Sequence, residues 1–128
     1  MIERFSPRGA PAPRGPYSPA VRAGDSIYVA GQVSIDPVSG QVVAGDVQVE
    51  TRQVLTNIRN ILEACDASLN DVVRCGVYLT DAADFKPMNE VYAEFFGEAK
   101  PARTTIIVAA LPLKNAKVEI DAVAYKPR

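Results

Sequence analysis

Histidine and tryptophan are both absent from the 128 residues. Without histidine there is no Ser-His-Asp or Cys-His nucleophilic group and no His-ligated metal site. Cys65 and Cys75 are the only cysteines. They form no Cys-x-x-Cys pair, and two thiolates alone cannot complete a structural zinc site. No Gly-rich phosphate loop of the Walker or dinucleotide type occurs. The longest apolar run, Ile106 to Leu113, is far short of a bilayer span. The first twenty residues lack the apolar stretch of a signal peptide, and there is no Asn-x-Ser/Thr sequon. Charge of either sign is not in excess: 14 Lys and Arg face 15 Asp and Glu, a formal net charge of −1. That argues against a general nucleic-acid binder, which needs a basic stripe. The expectation is a soluble protein of the reducing cytoplasm, with both cysteines acting as small buried hydrophobes.

Apolar residues make up 48% of the chain and charged ones 23%, an ordinary globular balance. The length suits one domain, residues 1–128, with a core large enough to need no staples. No repeat or low-complexity tract appears. The Pro-rich stretch from Pro7 to Pro19 reads as an extended or turning loop.

A Gly24-Asp25 turn separates Val21–Ala23 from Ser26–Ala30 and predicts a hairpin. Asp36 to Gly40 is a loop signal. Asp46 is placed to cap a helix whose face carries Val47, Thr51, Val54, Leu55, Ile58, Ile61, Leu62 and Cys65. Asp66 follows where a left-handed cap belongs. Val72 to Leu79 reads as a strand with Val73, Cys75, Val77 and Leu79 on one face. Asp84 is expected to cap a second helix, with Pro87 in its first turn, Gly97 at its end, and Phe85, Met88, Val91, Tyr92, Phe95 and Phe96 on its apolar side. Arg52, Arg59 and Glu63 read as a solvated helix face.

Ala102 to Ala109 and Lys117 to Tyr125 complete the strands. In the first, Thr104, Ile106 and Val108 share one face, and Arg103, Thr105, Ile107 and Ala109 the other. In the second, Val118, Ile120, Ala122 and Ala124 oppose Glu119, Asp121, Val123 and Tyr125. Two helices cover one face of such a sheet. The alternation is read as placing Arg103 and Glu119 together on the uncovered face, with Ile107, Val123 and Tyr125. A half-apolar open face predicts an oligomer.

Four residues stand out for chemistry. Arg103, just after Pro101-Ala102, is either one half of a salt bridge or a fork that takes a small carboxylate through two parallel hydrogen bonds. Glu119 is either a solvated strand residue or a general acid/base holding a water. Tyr17 is either a loop aromatic over the sheet edge or part of a site. Gly31 marks a strand end or a close backbone approach.

Several segments taken together resemble a known family. They are Gly15-Pro-Tyr-Ser-Pro-Ala20, Ile27-Tyr-Val-Ala-Gly-Gln32, Asp36-Pro-Val-Ser-Gly40, Thr51-Arg-Gln-Val-Leu-Thr-Asn57, Asn89-Glu-Val-Tyr-Ala-Glu-Phe-Phe96, Pro101-Ala-Arg-Thr104 and Val118-Glu-Ile120. In this order they resemble the reactive intermediate (enamine/imine) deaminases, RidA/YjgF. The resemblance runs over nearly the whole chain, and its most specific part is Pro-Ala-Arg followed by Val-Glu-Ile.

The resemblance implies an α+β fold: a six-stranded mixed sheet with two helices on one face, chorismate mutase-like. It also implies a homotrimer with clefts between subunits. The implied activity is hydrolysis of 2-aminoacrylate, 2-aminocrotonate and their imines to 2-oxo acids and ammonia. Those substrates come from pyridoxal-phosphate dehydratases. Arg103 would hold the substrate carboxylate, Glu119 the attacking water, and Tyr17 would be the loop tyrosine. The Gly31 backbone, Asn89 and Thr105 would border the substrate. No metal or cofactor is implied, since an imine is already electrophilic.

The chain departs from the family pattern at four places. Ala30 stands where many members have Ser, Thr105 where many have Cys, Pro19 where Gln is usual, and Asp66 where Gly is common, the last concerning helix capping and not chemistry. A pathway-specific deaminase of another enamine, and a non-enzymatic carboxylate-binding or holdase protein, are the alternatives. The ribonuclease activity also attributed to relatives is disfavoured by the missing histidine and the missing basic excess.

Overall fold

A computed structural model describes residues 1–128. Six strands form one mixed sheet: β1 (Ile2–Phe5), β2 (Ala20–Ala23), β3 (Ser26–Gln32), β4 (Val72–Leu79), β5 (Ala102–Ile107) and β6 (Val118–Tyr125). Their spatial order is β1-β2-β3-β6-β4-β5. Helices α1 (Val47–Ala64) and α2 (Phe85–Phe96) pack on one face. All pairings are antiparallel except β4 with β5. A parallel pair needs a crossover, and α2 supplies it. The predicted six-stranded mixed sheet with two helices is the fold observed, and neither helix is long and apolar enough to cross a membrane.

Helix α1 forms as its pattern requires. The Asp46 carboxylate accepts the Val49 N–H at 2.9 Å and so caps the first turn. Val54, Leu55, Ile58, Ile61 and Leu62 are fully buried. Burial of side chains this size stabilises by roughly 1.5–3 kcal/mol each. Asp66 takes φ = 60°. The Asp66 N–H donates to Glu63 O and the Ala67 N–H to Leu62 O, closing the helix in a left-handed cap.

Several expectations are corrected. Ile2–Phe5, which carries no strand signal of its own in the sequence, pairs with β2 as an edge strand. In β4 the register with β6 shifts between Val72 and Arg74, so Val72 enters the core and Val73 points to solvent. A bulge of this kind breaks the simple alternation. Asp84 makes no capping hydrogen bond; Asp81 instead accepts the Ala83 N–H at 2.9 Å and caps the turn before α2. Phe85 is exposed rather than part of the core, and Phe95 is only partly buried. Arg52 and Arg59 stack on the Phe95 ring, at 5.9 and 5.4 Å from its centre.

The largest correction concerns the two faces. Core-facing Cys75, Val77 and Leu79 of β4 lie beside Arg103, Thr105 and Ile107 of β5. Those three therefore stand on the helix side, and the open side of β5 carries Thr104 and Ile106. Glu119 pairs with Tyr78 on the open side. Alternation sorts the residues of β5 and β6 correctly within each strand. It holds no information on how a parallel edge strand is phased against its neighbour.

Candidate active site

The first half of the site lies on the open side, where β3 and β6 fall out of register between Val29 and Gln32. The irregularity turns Gly31 toward Glu119. A Cβ on Gly31 would overlap the Glu119 carboxylate and stand 3.0 Å from its Cδ. Only glycine lets that carboxylate lie against the β3 backbone. The two residues line a cleft of about 460 Å³ with Arg14, Tyr17, Ala30, Val33, Ile35, Pro112 and Leu113.

Glu119 has no cation within ion-pair distance. Burial, and after it the Asp121 carboxylate, hold the Glu119 carboxyl above the usual range. Asp121 is itself fixed. It accepts the Gly76 N–H and the Tyr78 O–H, each at 2.9 Å, and Arg74 lies 3.8 Å away. The same bond to Asp121 raises the Tyr78 phenol.

The loop over the cleft is held by its own backbone. Tyr17 is half exposed, and its hydroxyl accepts the Arg14 N–H at 3.3 Å. The Tyr17 N–H donates to Gly15 O at 2.9 Å. The Arg14 guanidinium donates to Gly40 O at 3.2 Å and meets no carboxylate.

The second half lies on the helix side at the sheet edge. The Arg103 guanidinium sits 4.7 Å from the Tyr92 ring centre and 5.7 Å from that of Phe85. The two rings are seven residues apart on α2 and form one platform. Arg103 makes no salt bridge, so the structural alternative considered for it is not what the fold uses. Asn89 lies between Phe85 and Tyr92 in the helix, and its buried Oδ1 has no hydrogen-bond partner. Thr105 follows Arg103 on the same side of β5. Burial raises the Tyr92 phenol and the adjacent Cys75 thiol, so both stay neutral.

The fold thus gathers Tyr17, Gly31 and Glu119 in one cluster and Arg103, Asn89 and Thr105 in another. It does not bring the clusters together within a chain: they occupy opposite faces of the sheet. The first offers a proton-exchanging carboxyl in a sheltered cleft. The second offers an unpaired fork on an aromatic platform and an unpaired carbonyl oxygen. Sequence reasoning missed Arg14, Asp121 and Tyr78. Arg14 directly precedes the quoted Gly15-Pro-Tyr segment, a signal that could have flagged it. Asp121 shares the Glu119 face, two residues on. No group of three His, Cys, Asp or Glu side chains converges to hold a metal.

The family model described as Endoribonuclease L-PSP matches residues 7–126. A RutC family protein of Pyrococcus horikoshii is 54% identical over 126 residues, covering 98% of this chain and 99% of the relative. The 2-iminobutanoate/2-iminopropanoate deaminase of Bos taurus is 48% identical over 117 residues, 91% of this chain and 85% of the relative. The crystal structure of RidA from an Antarctic Psychrobacter superposes with a TM-score of 0.92 at 41% identity, covering 96% of this chain and 98% of that one.

Proposed function

Because the chain belongs to the RidA/YjgF family, we propose that it hydrolyses imines and enamines of small amino acids, such as 2-iminobutyrate and 2-aminoacrylate, to 2-oxo acids and ammonia. The supporting observation is the pair of half-sites. An arginine fork without an anion and a glutamate without a cation stand on opposite faces of one sheet. In a ring of identical chains, one subunit's helix-side edge can close another's open-side cleft. The proposed assembly is a homotrimer with three such shared clefts, in which the open faces bearing Tyr28, Ile106, Val123 and Tyr125 meet.

In that cleft Arg103 of one subunit clamps the substrate carboxylate in two parallel hydrogen bonds and places the C=N carbon. Glu119 of the neighbour, ionised, takes a proton from water as the water oxygen bonds to that carbon. The substrate is the N-protonated imine, so as the C=N pair moves to nitrogen a neutral carbinolamine forms. Glu119 returns its proton to nitrogen, then takes the proton of the carbinolamine hydroxyl as that O–H pair forms the C=O bond and the C–N bond breaks; ammonia leaves, takes up the proton from Glu119, and a 2-oxo acid stays behind. Tyr17 covers the cleft, and Asn89 and Thr105 border the substrate beside Arg103. Pyridoxal-phosphate dehydratases are the proposed source of substrate, and the cytoplasm the proposed site of action. A ribonuclease reading of the family description draws no support from a chain without histidine or a basic excess.

The test couples the purified protein to a threonine dehydratase and follows loss of 2-iminobutyrate. Wild type should accelerate it. Arg103→Ala should lose about ten- to a hundred-fold in kcat/KM, the worth of a charge-assisted contact of about 1.5–3 kcal/mol. Arg103→Lys should recover little, because an ammonium lacks the planar fork. Unaltered imine decay with wild-type protein would rule this function out.

A further inference from the structure

The geometry points to a second anion-binding position in the cleft, at Arg14, and so to imines of acidic amino acids as a substrate class. This deepens the deaminase reading and rests on it. We infer that Arg14 pairs with a carboxylate at the far end of the substrate side chain, while Arg103 of the neighbouring subunit holds the α-carboxylate.

The argument starts from what Arg14 does not do. Its guanidinium has five donors, but the only protein acceptor it meets is Gly40 O at 3.2 Å. No Asp or Glu lies within ion-pair reach. Arg22 is engaged by three backbone carbonyls, Arg52 by Glu94 and Arg128 by Glu3; Arg4 and Arg8 are unpaired like Arg14, but they do not line the cleft. Arg14 is nonetheless positioned. Its backbone N–H donates to the Tyr17 hydroxyl, which fixes the main chain there, and the single Gly40 bond ties its guanidinium to the loop after β3.

Position adds the second step. Arg14 lines the same cleft as Tyr17, Gly31 and Glu119. Between these polar groups the wall is Val33, Ile35, Pro112 and Leu113. Methylenes of a side chain can lie on that wall, and a charged end then reaches a donor at the margin. Charge counting agrees. Glu119 already brings one negative charge to the cleft, and the substrate's α-carboxylate brings a second, balanced by Arg103. A third carboxylate would be repelled unless it met its own cation. Arg14 is the one cation among the residues lining the cleft.

The probe is the product, which is stable where the imine is not. Binding of 2-oxoglutarate and of 2-oxohexanoate, similar in length but ending in a methyl group, is compared by calorimetry at pH 7. Wild type should bind 2-oxoglutarate about tenfold more tightly or better, as a charge-assisted contact implies. Arg14→Gln should shrink that preference to within about threefold, and Arg14→Lys should keep part of it. Equal affinities in wild type, or a preference that survives Arg14→Gln intact, would overturn the assignment. The outcome is separable from the activity itself. Arg14-dependent 2-oxoglutarate binding without imine hydrolysis sinks the deaminase reading and keeps the second anion position. Hydrolysis of 2-iminobutyrate without any 2-oxoglutarate preference does the reverse.

Discussion

Arg103 and Glu119 lie on opposite faces of the same sheet, Arg103 beside Cys75 under α2 and Glu119 across from Tyr78 on the open side. A strand's two faces cannot be joined by a side-chain rotation, so one chain cannot use both on one small molecule. Subunit mixing tests this directly. Arg103→Ala and Glu119→Gln proteins should each be inactive alone. Unfolded together in equal amounts and refolded, they should regain about a quarter of wild-type activity, because one in four random neighbour pairs joins two intact half-sites. No recovery from well-folded mixed oligomers would place the whole site in one chain.

The Asp121 carboxylate is tied to the Gly76 N–H and the Tyr78 hydroxyl on the Glu119 face. Burial is the larger cause of the raised Glu119 carboxyl, and Asp121 the second. In the proposed reaction Glu119 must be ionised to accept a proton, so kcat/KM should fall as pH drops through its pKa. In Asp121→Asn the charge contribution disappears while an oxygen remains to accept the Gly76 N–H. Arg74, 3.8 Å from Asp121, also loses its partner and reinforces the change. The acid limb of the pH–rate profile should therefore move to lower pH. A limb that stays in place would mean that Asp121 does not act on Glu119.

Gly31→Ala isolates the close approach of backbone and carboxylate. The residue has no left-handed φ, so alanine fits the local backbone. Its Cβ cannot coexist with the present Glu119 carboxylate, whose flexible end must swing away. Thermal stability should change little. Deamination should fall by about a hundredfold, the usual effect of moving a catalytic group by about 1 Å. Wild-type activity with an intact fold would show that Glu119 need not sit where it does.

Parts of this arrangement could be read from the chain and parts could not, for physical reasons. Helix α1 was legible because its stripe from Val47 to Cys65 is long and every member is buried. Even the awkward Asp66 was legible, since a helix end needs a left-handed residue there. Strand β1 was not, being four residues long at an edge, with no buried member. The side taken by Arg103 was illegible for a related reason. No residue of β5 is fully buried, so its pattern names no inner face, and only the pairing with β4 sets it. Phe85 was misread because an aromatic at helical spacing looks the same whether it packs in a core or carries a cation.

Ala30 lines the cleft next to Gly31, with its N–H held by Pro19 O at 2.9 Å. The family resemblance places a serine hydroxyl at this position in many members. In this chain that spot is apolar and continues into Val33, Ile35 and Leu113. A methyl group there leaves room and offers no hydrogen bond. The missing contact is worth about 0.5–1.5 kcal/mol, so the proposed reaction of a small imine should be slower but not abolished. A longer side chain regains part of this by covering apolar wall, at roughly 0.8 kcal/mol per buried methylene. Ala30→Ser is the reciprocal experiment, assayed on 2-iminobutyrate and on the imine of leucine. The ratio of the two kcat/KM values should shift toward 2-iminobutyrate by about three- to tenfold, the exponential of one such hydrogen bond. Equal shifts in both rates, or none, would show that residue 30 does not touch the part of the substrate that differs between them.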